Sequence, residues 1–135
     1  MPGGVANGRY CDGTGWEDEA GYSRAVRRGR WIAVSGTTAN GPNGTVLFPG
    51  DTYAQVRAAL QRALDAVTAL GGTMRDVVRT RVYLAPGADW RAAARAHREV
   101  LGQVGPANTM LYVGGMIGDG FLAEVEIDAA LGEES

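Results

Sequence analysis

Nine residues near the C-terminus limit what this chain can fold into. In Phe121-Leu-Ala-Glu-Val-Glu-Ile-Asp-Ala129 the apolar Phe121, Ala123, Val125, Ile127 and Ala129 alternate with Leu122, Glu124, Glu126 and Asp128. Successive side chains of a strand point to opposite faces, so this stretch reads as a strand with one apolar and one acidic side. The apolar side needs a covering layer, and the acidic side cannot belong to the same core.

The covering layer is legible upstream. Thr52 with Gln55 three residues later reads as a capping box, and Asp51 adds negative charge at the positive end of the helix dipole. Tyr53, Val56, Leu60, Ala63, Leu64, Val67 and Leu70 then recur every three or four residues, and Gly71-Gly72 ends the helix. Asp89 is the expected N-cap of a second helix running to about Leu101, which Gly105-Pro106 breaks. Between the helices, Val77 to Leu84 reads as a strand. Its Thr80, Val82 and Leu84 face the helices, and Arg79, Arg81 and Tyr83 face away.

The remaining elements are shorter. Tyr22–Val26 and Trp31–Ser35 flank Arg27-Arg28-Gly29-Arg30 and read as a hairpin. Thr45–Phe48 follows a loop dense in turn formers and reads as an edge strand, and Thr109–Val113 as another strand. Met1 to Ala20 shows no period and reads as a surface coil, with Trp16 as its anchor or as the wall of a cleft. The expected order is β-β-β-α-β-α-β-β. This is an α/β chain of the α+β kind, a mixed sheet with two helices packed on one face. Residues 1–20 form an arm, 21–130 a single domain and 131–135 a tail.

Absences narrow the chemistry. The chain has 135 residues and a formal charge of −2, with no basic excess to suggest nucleic acid and no apolar run long enough to span a bilayer. Its start lacks the pattern of a secretory signal, so a cytoplasmic location is expected. All 13 basic residues are arginine, which removes lysine Schiff-base chemistry. With one histidine, His97, and one cysteine, Cys11, a Cys/His metal site is implausible. His97 falls on the inward stripe of the second helix and reads as a packed, satisfied core residue. Cys11 reads as incidental, since a reactive thiol needs an electropositive site. The acidic row of the last strand and the arginines of Val77–Leu84 share one sheet face, which alternation alone leaves open between solvent and a subunit interface.

Gly21-Tyr22-Ser23-Arg24-Ala25-Val26, Val34-Ser35-Gly36, Asp76-Val77-Val78-Arg79-Thr80 and Pro106-Ala107 … Leu111 … Gly114-x-Met116 … Val125-Glu126-Ile127 together resemble, in order and spacing, the RidA/YjgF family. The resemblance implies a chorismate-mutase-like fold, a homotrimer whose sheets form a central barrel, and small-molecule clefts between subunits. It implies hydrolysis of reactive imines and enamines without metal or organic cofactor. In that scheme a last-strand glutamate positions water, and an arginine grips the substrate carboxylate. The glutamate falls on Glu126. The arginine position holds Asn108, a departure that exchanges a charged bidentate clamp for a neutral amide.

The resemblance places Glu126 as the catalytic residue, with Asn108, Tyr22 and Ser35 toward substrate; strand alternation adds Arg81, and the isolated aromatic of the arm adds Trp16. Glu126 between subunits is a reasonable general base, because desolvation and neighbouring acids raise a carboxyl's pKa while Arg81 opposes that. Arg81 is expected either to grip an anion or to pair with Glu124 or Glu126 across a subunit interface. Two functions stay open: an imine or enamine hydrolase or tautomerase, and a non-catalytic trimer that binds a small metabolite. Nothing in the sequence resembles a nuclease site.

Overall fold

The computed structural model describes residues 3–132. In chain order its elements are β1 (Gly4–Ala6), β2 (Arg9–Cys11), α1 (Gly15–Ala20), β3 (Ala25–Arg28), β4 (Trp31–Thr37), α2 (Thr52–Ala69), β5 (Val77–Leu84), α3 (Trp90–Leu101), β6 (Ala107–Tyr112) and β7 (Ala123–Ala130). The strands make one sheet in the order β1-β2-β3-β4-β7-β5-β6. All neighbours run antiparallel except β5 and β6, which are parallel. A parallel pair cannot be joined by a tight turn, and α3 supplies the crossover between them.

The alternation of β7 governs the layering. Ala123, Val125, Ile127 and Ala129 are fully buried beneath the helices together with Val56, Leu60, Ala63 and Val67 of α2. Helix α2 packs on β4 and β7, and α3 lies beside α2. Both helices therefore cover one face, as expected. The other face is open in the single chain.

Four local expectations need correction. Residues 45–48 do not form a strand. A 3-10 turn at Pro42–Gly44 and one isolated bridge, Asn40 to Val46, occupy that region, and Phe48 has φ of 52°, which an extended strand cannot accommodate. The arm is not a coil. Asn7-Gly8, both with positive φ, turn β1 back onto β2, and β2 pairs with β3, so the arm extends the sheet. Cys11 accordingly sits in a strand and is buried. The N-cap of α2 is Asp51, whose carboxylate accepts from the Ala54 amide. Thr52 and Gln55 work across the fold instead. Thr52 Oγ1 accepts from the Asp89 amide, while Gln55 donates to the Phe48 and Gly120 carbonyls and accepts from the Leu122 amide.

Candidate functional site

On the open face, register decides which polar side chains meet. Arg81 lies directly opposite Glu126, Tyr83 opposite Glu124 and Arg79 opposite Asp128. The side chains reach diagonally. Tyr83 donates its hydroxyl to Glu126 Oε1, and Arg81 Nη1 bonds Asp128 Oδ2 at 3.2 Å. Within the chain, then, Arg81 pairs with Asp128. Both partners are about one-third exposed, so it is a half-solvated ion pair. The bond to Glu126, then burial, pushes the Tyr83 phenol pKa up, which keeps its proton in place as a donor.

At the β4 end of this face is a 200 Å³ pocket lined by Trp16, Tyr22, Arg24, Gly36, Phe121 and Glu124, among others. Two expected residues, Trp16 and Tyr22, meet here. Arg24 and Glu124 were not singled out from sequence as site residues. Arg24 is only 2 % exposed. Its guanidinium donates to the Gly36 carbonyl, to Thr37 Oγ1 and to the Tyr22 hydroxyl, and Nε lies 3.4 Å from Asp12 Oδ2. Asp12 also holds Arg62, at 2.6 Å. Burial raises the Asp12 carboxyl, but Arg62 and Arg24 outweigh it and hold the pKa low. Glu17, buried beneath α1, accepts from the backbone amides of Asp12, Gly13 and Arg24 and locks the arm against β3.

Glu124 is the carboxyl on this face that the surroundings raise. Desolvation is the first cause, Glu126 the second, and Arg24 opposes both. It lies over Gly36, where a Cβ would approach Glu124 Oε2 to 2.6 Å. A glycine inside a strand pattern signals a bulge or a close approach, and Gly36 sits at the irregularity in the β4–β7 register. That was the signal available in the sequence. Ser35 is spent structurally: its hydroxyl donates to the Ser23 carbonyl at 2.7 Å and fastens β3 to β4.

Asn108 lies elsewhere. In the β5–β6 register it stands beside Thr80, on the helix-facing side of the edge strand and so on the opposite sheet face from Glu126. Its Nδ2 donates to Thr80 Oγ1 at 3.0 Å, and Thr80 Oγ1 is 2.7 Å from His97 Nε2. His97 is thus packed and satisfied, with its pKa lowered by burial. Within one chain the structure brings Trp16 and Tyr22 together with Glu124, which lies two residues from Glu126 on the same side of β7. It does not bring Asn108 to Glu126. Among the described residues no group of three potential His, Cys, Asp or Glu ligands forms a metal site, and no helix is long and apolar enough to cross a membrane.

Comparison with known proteins bears on the whole arrangement. The family described as Endoribonuclease L-PSP matches residues 16–131. An uncharacterised protein of Streptomyces coelicolor is 39 % identical over 125 residues, covering 92 % of each chain. The 3-aminoacrylate deaminase of Acinetobacter baylyi is 28 % identical over 70 % of this chain and 75 % of its own. A crystal structure from Mycobacterium tuberculosis, a member of the YjgF/YER057c/UK114 family, superposes with a TM-score of 0.80 at 38 % identity, covering 90 % of this chain and 96 % of the other. With the family's pattern matched from the first helix to the last strand, this chain belongs to the RidA/YjgF family.

Proposed function

We propose that the protein is a cofactor-independent enzyme that hydrolyses or tautomerises a small reactive imine, enamine or related carbonyl compound. It works as a homotrimer with its sites in clefts between subunits. The observation that carries the reading is the state of Glu126. The arginine facing it across the strands bonds Asp128 instead, and Glu126 accepts from the neutral Tyr83 hydroxyl. An ionised carboxylate has about four lone-pair positions. One is taken by Tyr83, and the others face the open side of the sheet, where a water can be held.

In hydrolysis of an imine, that water adds to the C=N carbon. The C–O bond forms as the π pair moves to nitrogen, and Glu126 accepts the proton that the water loses. Nitrogen gains protons and leaves as ammonia when the carbonyl forms. Glu124, with a raised pKa beside Glu126, is placed to supply a proton to the departing nitrogen. The enamine substrate in the name of the Acinetobacter baylyi relative supports this class of reaction.

The placement of Asn108 supports the trimer. Glu126 and Asn108 lie on opposite faces of one sheet, so a single ligand can touch both only where Asn108 comes from a neighbouring copy. Trp31 of β4 and Leu111 at the β6 edge are large apolar side chains left exposed. The competing reading, a non-catalytic metabolite-binding trimer, draws on Asn108 standing at the family's arginine position. Ammonia release from an imine generated in place by an amino-acid oxidase separates the two. The enzyme reading expects acceleration by the wild type and ~100-fold loss in Glu126→Gln. A wild type no faster than buffer with every imine offered leaves the binding reading.

A further inference from the structure

The direction in which Asn108 is held points to a ligand group opposite in character to a carboxylate. Asn108 lines a 510 Å³ pocket against α3 whose walls include Leu84, Trp90, Met110 and Tyr112. Tyr112 has its hydroxyl committed to the Ala88 carbonyl at 2.7 Å. Arg91, next to Trp90 in the chain, stacks on the Trp90 ring at 4.5 Å and is not a wall of the pocket. The Asn108 amide is therefore the polar feature that an otherwise apolar pocket offers a ligand.

An asparagine amide can point either its oxygen or its nitrogen inward, and two partners decide the matter here. The inward atom lies 3.0 Å from Thr80 Oγ1 and 3.5 Å from the Thr80 backbone carbonyl. A carbonyl oxygen only accepts, so an amide oxygen beside it would set two acceptors face to face. The inward atom is the NH2 donor. Thr80 is fully buried, and its hydroxyl can accept from Asn108 while donating to His97 Nε2. Three groups are satisfied in one chain of bonds, and turning the amide over would break it. With Nδ2 given to Thr80, the amide atom left for a ligand in the pocket that Asn108 lines is Oδ1. It is an acceptor with partial negative charge.

We propose that Asn108, positioned by Thr80 and His97, makes this site selective for ligands that present a neutral N–H or O–H donor, such as a carboxamide, where a carboxylate would be expected from an arginine-bearing relative. The inference rests on the reading that position 108 meets the ligand. It does not require that the ligand be hydrolysed. Arg24, the buried arginine among the described residues, does not undo the preference, because Asp12 already pairs with it and it donates to three oxygens. A carboxylate brought to Asn108 Oδ1 would meet an acceptor, and no arginine is among the residues that line the pocket, so the site disfavours it actively as well as failing to attract it.

The test uses a matched pair of probes, 2-oxobutanamide and 2-oxobutanoate, which differ in the recognised group and hardly in size. Dissociation constants are measured by titration calorimetry on the intact protein, and the Trp90 indole NMR signal reports whether the probe enters this pocket. The wild type is expected to bind the amide at least about five-fold tighter, the worth of one hydrogen bond. Thr80→Val frees the Asn108 amide to turn and should narrow the ratio to about two-fold or less, and Thr80→Ser, which keeps the hydroxyl, should retain it. Asn108→Arg should reverse the preference. Equal affinities, preference for the acid, no binding of either probe, or an unchanged ratio in Thr80→Val would each overturn the proposal. Imine turnover is scored separately. Turnover without amide preference removes this inference and leaves the hydrolase, whereas amide preference without turnover does the reverse.

Discussion

The two faces of β7 are built from adjacent residues and obey different rules. On the helix side Ala123, Val125, Ile127 and Ala129 are wholly excluded from water, and their neighbours on β5 are Val82 and Leu84. On the other side Glu124, Glu126 and Asp128 remain partly solvated, and the last two bond Tyr83 and Arg81 respectively. The first face is held by volume and apolar area, and tolerates little change. The second is held by a few hydrogen bonds between half-exposed groups, each worth about 1 kcal/mol net. Stability is concentrated on one side of the strand, and the proposed chemistry is assigned to the other.

The most severe way to break this contrast is to cut into the buried side. Ile127→Ala should cost about 2–5 kcal/mol by lost transfer energy and a residual cavity, read as a fall in the urea midpoint. Glu126→Gln, one residue away, should change stability by less than about 1.5 kcal/mol while removing activity. Comparable losses from both substitutions would show that the open face is part of the folding core.

A second test asks what covers the open face. Light scattering of the wild type is expected to give three times the chain mass of 14.1 kDa. Leu111→Arg, which places a charge on the exposed edge beside that face, should shift the protein toward the monomer with its circular dichroism unchanged. A wild type running as a monomer at micromolar concentration would leave the face to solvent.

The pH dependence sharpens the contrast further, because each face carries a perturbed group of opposite sign. Burial lowers the His97 pKa on the helix side, so the unfolded chain takes up that proton first as pH falls below 6.5. Its contribution to stability is present above pH 6.5 and is lost as pH drops toward the folded value. Burial, then Glu126, raises Glu124 on the open side above its usual 4.5. The unfolded chain releases that proton first, so stability falls as pH rises from 4.5 toward the folded value. Denaturation midpoints should lose the first slope in His97→Gln and the second in Glu124→Gln. A retained slope in either variant would assign it to another group.

The smallest effect belongs to Arg81→Met. The Arg81–Asp128 pair is half-solvated, so its loss should cost about 1 kcal/mol or less by denaturant titration of the monomeric fold. A loss of 3 kcal/mol or more in the monomeric fold, in the range of a broken buried pair, would mean that the chain itself buries the pair.

Local patterns carried much of this fold. The alternation of Phe121–Ala129 and Val77–Leu84 gave both strands and their buried sides. The three-and-four spacing after Asp51 gave α2, and Asp89 caps α3 as expected, accepting from the Arg91 and Ala92 amides. These signals are periodic, and a period is a property of neighbours along the chain. The Asn7-Gly8 turn was equally local, although the polar composition around it masked the hairpin. What no local pattern could decide was partnership. Glu124 is raised because Gly36, far away in sequence, lets it close over β4, and Arg24 is buried because α1 and Asp12 fold back across it. Arg81 bonds Asp128 because register and reach, rather than charge alone, choose among three acids on one strand. Asn108 faces away from Glu126 because β6 pairs in parallel register with β5, and strand pairing is settled only when distant segments are brought side by side.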